Sequence, residues 1–492
     1  MKTVCKELNN TNLFQSNMCG IVGIIGNKPV SRLIYHSLFA IQHRGQSSAG
    51  KLTYDGNIHV NKDAGLVREV FEDVSSISTP GIAGIGHTRY STAGLDDVES
   101  LKRNAQPEYL VNPFLGAVHN GNIINSSKVI EKTSRRPRTD CDIQYLLLPM
   151  ADELYKKELT PDIIFDACES VMKNVKGSYS SLFLADSGDD PYLFAITDPN
   201  KLRPLVLGKK NGMYCLTSET RVFKKTQFEY VKDIPGGSAI IIDKHGNIHE
   251  KQIIKKPETP CMFEFVYFAK PDSRIEKRSV HNVRVQLGQV LAKNYPVDAD
   301  IVVPVPNSGR AYAIGFSRES GILLDEGIMK DKDERSFIQQ DQESRDRIVQ
   351  EGLSFLRAVF KGKKVVLIDD SIVRGTNIRK LVAGIRRAGG KEVHIRIGCP
   401  PLIAPCYLGI DMRSRKEFLA RDDDGNVRKW DEICKEIGAD SLAYIKPSDL
   451  EDVIGFPVCK GCIDFPDGYP KELKKDVLRL YDKVDDGKRA YE

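Results

Sequence analysis

Two apolar runs constrain this chain more than any other feature: ADIVVPVP from Ala299 and KKVVLIDD from Lys363. Neither shows polar alternation, and such runs are how strands buried on both faces of a parallel sheet read. After the second comes RGTNIRKLVAGIRRAGG, in which Ile378, Leu381, Val382 and Ile385 fall on one helical face. KEVHIRIG then returns to strand character. A strand, a loop, a helix and a parallel strand in that order predict a doubly wound α/β domain for the second half.

The first half is written differently. Up to about residue 257 it offers short β segments set off by Gly-containing turns: CGIVGIIG from Cys19, GIAGIGHTRYST from Gly81, FLGAVHNGNI from Phe114, PYLFAITDP from Pro191 and MYCLTSET from Met213. With helical stretches near 140–158 and 161–175, they predict a layered α/β domain, divided from the second near Pro257 to Pro260. A length of 492 residues suits two or three domains. The net charge of +5, with both signs interspersed, gives no reason to expect nucleic acid as a partner. No apolar run approaches the ~18 residues of a membrane span, and the first eighteen residues lack the apolar core of a secretory signal, which points to a cytoplasmic protein without a membrane partner. Eleven cysteines, an odd number in a chain of this kind, argue for thiol chemistry or metal ligation over a disulfide framework.

The strand KKVVLI ends in Asp369 and Asp370, followed by Ser371-Ile372-Val373-Arg374-Gly375-Thr376-Asn377 and the helix. Ligands of open α/β sheets bind beyond the carboxyl ends of strands, where a Gly-containing turn into a helix presents N–H groups to phosphate. Two acids there would repel a bare phosphate, so a ribose diol or Mg²⁺ is their fitting partner. An Asp pair capping a turn is an equally good reading of the pair alone. The full string DDSIVRGT closely resembles the phosphoribosyl pyrophosphate (PRPP) signature of type I phosphoribosyltransferases. The resemblance puts Asp369 and Asp370 on the ribose and on one Mg²⁺, and Ser371, Arg374, Gly375 and Thr376 around the 5-phosphate. Pro304-Val305-Pro306-Asn307-Ser308-Gly309 resembles the family segment that binds pyrophosphate, with Ser308 offering a further metal-side oxygen.

Cys19 opens the strand Cys19-Gly20-Ile21-Val22-Gly23, and a Cys in that place is ordinarily a small hydrophobe. Here it precedes Gln42-His43-Arg44-Gly45-Gln46, Gly86-His87-Thr88-Arg89-Tyr90-Ser91-Thr92-Ala93-Gly94, His119-Asn120-Gly121-Asn122 and Cys141-Asp142, which resemble class II glutamine amidotransferases in order and approximate spacing. That resemblance implies the N-terminal nucleophile fold, a four-layer αββα domain in which Cys19 is the mature N-terminus and its own α-amino group the general base. An amine with pKa near ~8 can take the thiol proton at neutral pH, and a peptide nitrogen cannot. By the same resemblance Asn120 and Gly121 form the oxyanion hole, Arg89 grips the glutamine α-carboxylate, Asp142 pairs with its ammonium, and Arg44 supports the site. Residues 1–18 are then a propeptide or a start-site extension, absent from the active enzyme.

Both signatures in one chain, amidotransferase first, resemble the glutamine PRPP amidotransferase family, with RPLVLG at Arg203, TSET at Thr217 and FEFVYFAKPDS at Phe263 as connecting strings read as belonging to neither active site. Cys459-Lys460-Gly461-Cys462 taken alone fits zinc, iron–sulfur or redox chemistry equally. One branch of the family carries a 4Fe–4S cluster on four Cys, and Cys261, Cys406, Cys459 and Cys462 match those positions. Departures are Ser47 where Glu is usual, Cys141-Asp142-Ile143-Gln144 for a more usual Ser-Asp-Ser/Thr-Glu, and an acidic loop, Asp331 to Glu334, between the candidate pyrophosphate cations Lys330 and Arg335. The resemblance implies an amidotransferase domain over 19–257, a phosphoribosyltransferase domain over 258–470 and a charged tail over 471–492. It further implies glutamine and PRPP as substrates, purine nucleotides as inhibitors, and a homodimer or homotetramer. The acidic loop motivates one alternative, a PRPP-binding regulatory paralogue with weak or no amidotransferase activity.

Overall fold

The computed structural model describes residues 18–90, 98–186, 188, 190–330, 353–410, 415, 418–422 and 425–483. The chain forms two compact units, one built on Ser16–Val280 with Pro405–Arg415 and Phe456–Glu492, the other on His281–Ala404 with Lys416–Gly455.

The first unit holds two antiparallel sheets. The seven-stranded sheet runs in the order Glu229–Asp233, Val206–Lys210, Met213–Thr217, Gly20–Ile25, Ala83–Arg89, Ser48–Tyr54, Ile58–Ala64. The six-stranded sheet runs Ile248–Gln252, Ser238–Ile242, Pro191–Thr197, Gly177–Asp186, Phe114–Ile123, Glu108–Val111. Central strands such as Gly20–Ile25 and Ala83–Arg89 are buried on both faces, which is unusual for antiparallel sheets and means both faces are covered there, whereas the outer strands Glu229–Asp233 and Ile248–Gln252 are partly exposed. In Gly20–Ile25, Ile21 and Ile25 enter the core between the sheets with Leu182, Leu184 and Leu193, while Val22 and Ile24 face Ile34, Leu38 and Ile41 of the helix Ser31–Ile41. On the far side Phe183 and Tyr179 pack with Leu147, Ala151, Ile164 and Val171 of the helices Gln144–Leu154 and Pro161–Asn174. Helix, sheet, sheet and helix make four layers. The second of these helices starts where its sequence dictates: the Thr160 hydroxyl accepts from Ile163 N (3.3 Å), with Pro161 at the first helical position.

In the second unit the expected parallel sheet forms, ordered Leu323–Leu324, Ile301–Pro304, Lys364–Asp369, Glu392–Ile397, Ser441–Tyr444. The order reverses between Ile301–Pro304 and Lys364–Asp369, so a crevice opens beyond their carboxyl ends. Ile378, Leu381, Val382 and Ile385 of the helix Thr376–Arg387 are all buried, as their spacing predicts.

The stretch from Lys471, which reads as a surface helix, folds as the helix Lys471–Lys483 but buries Leu473 and Val477. Lys176 donates to Asp476 (2.6 Å) and Asn200 to Glu472 (3.1 Å), so this helix is tied to the sandwich. Among the described residues no helix is long and apolar enough to cross a membrane.

Candidate active sites

Cys19 immediately precedes the strand Gly20–Ile25, the central strand of the seven-stranded sheet. Burial raises its thiol above the ordinary range, opposed by the Tyr90 backbone N–H and by the positive charges of Arg89 and Arg44, while Asp142 pushes the same way as burial. These four residues therefore lie around one sulfur. Arg89 ends the neighbouring strand Ala83–Arg89, whose Thr88 is the register partner of Gly20. Gly45 lets the turn after Arg44 lie against that strand end, since a Cβ there would sit 2.5 Å from the Arg89 carbonyl carbon.

Asn120 and Gly121 lie in the strand Phe114–Ile123 of the other sheet. The Asn120 side chain is buried, and among the described residues its Nδ2 has no acceptor. A buried amide donor without a partner costs free energy, which a ligand oxygen would recover. Gly121 adopts φ +150°, and a Cβ there would lie 2.0 Å from Ser178 O. Only glycine fits that bend.

Asp142 accepts from His119, with Nε2 at 3.0 Å, and the other ring nitrogen of His119 lies 2.9 Å from Ser181 Oγ. Burial alone would raise the Asp142 carboxyl, but His119, Arg89 and His87 outweigh it and hold it below the usual range. Asp142 is thus an anion at neutral pH, suited to an ammonium.

Arg44 shows what the strings outside the catalytic motifs contribute. Its Nε donates to Cys19 O (3.0 Å), one terminal nitrogen to Glu219 (2.7 Å) and to Glu264 (3.0 Å), and the other to Glu264 (2.7 Å). Glu219 belongs to TSET and Glu264 to FEFVYFAKPDS, strings read above as belonging to neither site. A carboxylate inside an apolar string such as FEFVYF is the signal that could have found Glu264, because an acid there must be buried with a cation.

In the second unit Asp369 ends its strand at the switch point, 7% exposed, with Asp370 at 4%. Ser308 Oγ donates to Asp369 Oδ1 (3.2 Å), which also accepts Asp370 N (2.8 Å). Gly309 makes this possible, since a Cβ there would lie 2.2 Å from Ile368 O. Burial, and then the charge of Asp370, pushes the Asp369 carboxyl well up from its ordinary range. Two buried carboxylates and a hydroxyl are an oxygen-only set that suits a hard cation sharing its remaining positions with water and substrate phosphates. Ser371 donates to Asp370 (2.7 Å), Gly375 turns with φ +75° against Leu419, and Thr376 opens the helix with Arg374 exposed beside it. Lys330 ends the strand Ile328–Lys330; Arg335 and the acidic loop lie outside the described residues.

The four cysteines lie within the first unit, on three stretches distant in sequence. Cys261 and Cys459 pair as a parallel bridge, with Cys459 N donating to Pro260 O (2.9 Å) and Met262 N to Cys459 O (3.2 Å). A Cβ on Gly461 would meet the Tyr469 ring at 2.4 Å, so glycine lets the Cys459–Cys462 turn close on that ring. Tyr469 OH in turn donates to Pro405 O (3.1 Å), beside Cys406. All four are buried, and burial pushes the Cys261 thiol to about 11. Among the described residues no three or more His, Cys, Asp or Glu side chains converge closely enough to hold an ion as they stand. In donor type, burial and backbone pairing the four thiols nevertheless fit a cysteine-ligated centre.

A four-layer sandwich with a cysteine at a strand start, joined to a parallel sheet with an acidic pair at its switch point, defines a glutamine amidotransferase fused to a phosphoribosyltransferase. No family model matches the chain. It is 40% identical over 487 residues to the amidophosphoribosyltransferase of Methanocaldococcus jannaschii, covering 94% of this chain and 99% of that one. It is 38% identical over 460 residues to that of Pasteurella multocida, with 89% and 88% covered. A solved Bacillus subtilis glutamine PRPP amidotransferase complexed with ADP and GMP superposes with a TM-score of 0.79 at 32% identity, covering 91% of this chain and 97% of that chain. The chain belongs to the amidophosphoribosyltransferase family, the first enzymes of purine biosynthesis. It is an enzyme that transfers a phosphoribosyl group, and the regulatory alternative is not favoured.

Proposed function

We propose that the chain hydrolyses glutamine at Cys19 and passes the ammonia to C1 of PRPP, releasing pyrophosphate and giving 5-phosphoribosylamine. The observation that carries this is the presence in one chain of a thiol flanked by Arg89 and Asp142, a buried and unsatisfied Asn120 amide in the same unit, and an acidic pair at the switch point of a parallel sheet. Arg89 holds the glutamine carboxylate and Asp142 its ammonium, so a free amino acid is chosen over a peptide-bound side chain. The α-amine of Cys19 takes the thiol proton, the sulfur attacks the side-chain carbonyl, and Asn120 Nδ2 with the Gly121 N–H receives the developing oxyanion. Ammonia leaves with that proton and water releases glutamate from the thioester. Ammonia must be kept from bulk water, where it would be protonated and lose its nucleophilicity.

At the second site Asp369 and Asp370 hold the ribose hydroxyls, and Ser371, Arg374, Gly375 and Thr376 hold the 5-phosphate. Asp369, Asp370 and Ser308 would hold Mg²⁺, which would supply charge neutralisation for pyrophosphate. Lys330 and Arg335 are the cations proposed for pyrophosphate. The catalytic stretches are 19–257 and 258–470, with the charged segment 471–492 after them. The enzyme works in the cytoplasm as a homodimer or homotetramer and answers to purine nucleotides, in keeping with the nucleotides named for the Bacillus subtilis relative. PRPP-dependent glutamate release by the purified protein, with and without Mg²⁺, tests the reading. Release that ignores both PRPP and Mg²⁺ would contradict it.

Cys261, Cys406, Cys459 and Cys462 would hold a 4Fe–4S cluster, which supplies a covalent tie between three remote stretches of chain. Protein purified without oxygen is expected to be brown with four irons per chain, and Cys406→Ser to lose colour and thermal stability together, since the tie exists only in the folded state. Colourless, active protein with stoichiometric zinc would overturn this assignment.

A further inference from the structure

The guanidinium of Arg44 is fully enclosed, 0% exposed, between two carboxylates that are themselves 1% and 0% exposed, those of Glu219 and Glu264. Each carboxylate is anchored in turn. Glu219 accepts from Ser273 Oγ (2.7 Å) and Lys270 N (3.2 Å), and it also meets His43 Nε2 (2.8 Å). Glu264 opens the single helical turn Glu264–Phe268, with its N–H on Cys261 O (3.1 Å). Stability is a weak reason for such a cluster, because a buried ion pair replaced by apolar groups of the same shape is often no less stable. What apolar groups could not do is aim a donor. The fork leaves Arg44 Nε pointing at the carbonyl of Cys19, the residue that carries both the thiol and the α-nitrogen.

We propose that Glu264 and Glu219 are positioning residues for the glutaminase reaction: they clamp the Arg44 guanidinium so that it fixes the backbone of Cys19 and with it the direction of its thiol and amine. The inference rests on the reading of Cys19 as nucleophile. It assigns a task to TSET and FEFVYFAKPDS, strings outside both sets of substrate contacts proposed above. Neither glutamate is a catalytic residue, and neither contributes to glutamine affinity, which lies with Arg89 and Asp142.

Glu264→Gln and Glu219→Gln keep shape and remove charge. Each is expected to lower glutamine-dependent kcat about 100-fold, the size of effect that a misplacement near 1 Å produces. KM for glutamine should stay within about twofold and turnover with supplied ammonia should be unchanged. Alkylation of Cys19 by iodoacetamide should slow in parallel. A merely structural role would lower the melting temperature and both activities together, and that result overturns the proposal, as does unchanged kcat. Where the glutamine variants yield no soluble protein, Ser273→Ala decides: it removes one bond to Glu219, and a fall in kcat of about fivefold, the worth of one hydrogen bond, is expected, with no change as the contrary result. Wild-type protein that makes no glutamate would overturn the nucleophile reading and is a different outcome from any of these.

Discussion

Asp369→Asn combined with Asp370→Asn is expected to abolish PRPP turnover and leave slow glutamine hydrolysis. An amide keeps the oxygen that accepts Ser308 Oγ and Asp370 N, so the loop holds its shape. It cannot supply the negative charge that a ribose diol and a divalent cation require. Stability moves the other way, and the sign follows from the raised Asp369 carboxyl. A group whose folded pKa lies above its unfolded value stabilises fully below the unfolded pKa and loses that contribution as pH rises through the folded value. At pH 7 the wild type bears the cost of the buried Asp369 carboxyl beside Asp370, a cost that the variant lacks. Without substrate the double variant therefore melts no lower than wild type at pH 7, and the difference closes toward pH 3. Undiminished phosphoribosylamine formation, or a melting difference that widens in acid, would remove the assignment.

Cys19→Ala is expected to abolish glutamine-dependent turnover and leave ammonia-dependent turnover intact. Asn120→Ala should keep about 1 part in 10² to 10³ of the glutamine activity, the loss typical of one oxyanion donor. It should cost little stability, because Nδ2 of Asn120 has no acceptor to lose among the described residues. Active protein from its native source is expected to begin at Cys19, since only a terminal residue has an amine to act as base. Intact mass is the measurement, and fully glutamine-active protein retaining residues before Cys19 would contradict the mechanism.

Several features were legible in the sequence because their causes are local. The runs IVVP and KVVLID can only be strands covered on both faces, and the acidic pair marks the carboxyl end of the second. The four apolar positions from Ile378 to Ile385 fix which face of their helix is buried. The antiparallel sandwich was less legible, since its central strands are buried on both faces and alternate in no useful way. Its identity came from the spacing of Cys19, Arg44, Arg89, Asn120 and Asp142. Glu219 and Glu264 were missed because their partner is a cation 175 and 220 residues away. Residue periodicity carries no trace of such a pairing. His119 was within a motif already singled out, but its contact with Asp142 depends on two strands and a loop meeting in space.

The unit that begins with Cys19 is completed by chain made much later. Asn122 Nδ2 donates to Tyr407 O (3.0 Å), Ser178 Oγ to Leu408 O (2.7 Å), and Lys176 reaches Asp476. On the ribosome, then, the half that emerges first cannot finish folding until the last helix has been synthesised. During that interval the edge near Asn122 and Ser178 stands open, and the nascent sandwich needs shelter. For the same reason, a gene cut after residue 257 would be expected to yield a glutaminase that aggregates, and coexpression of the remainder would be the way to recover it.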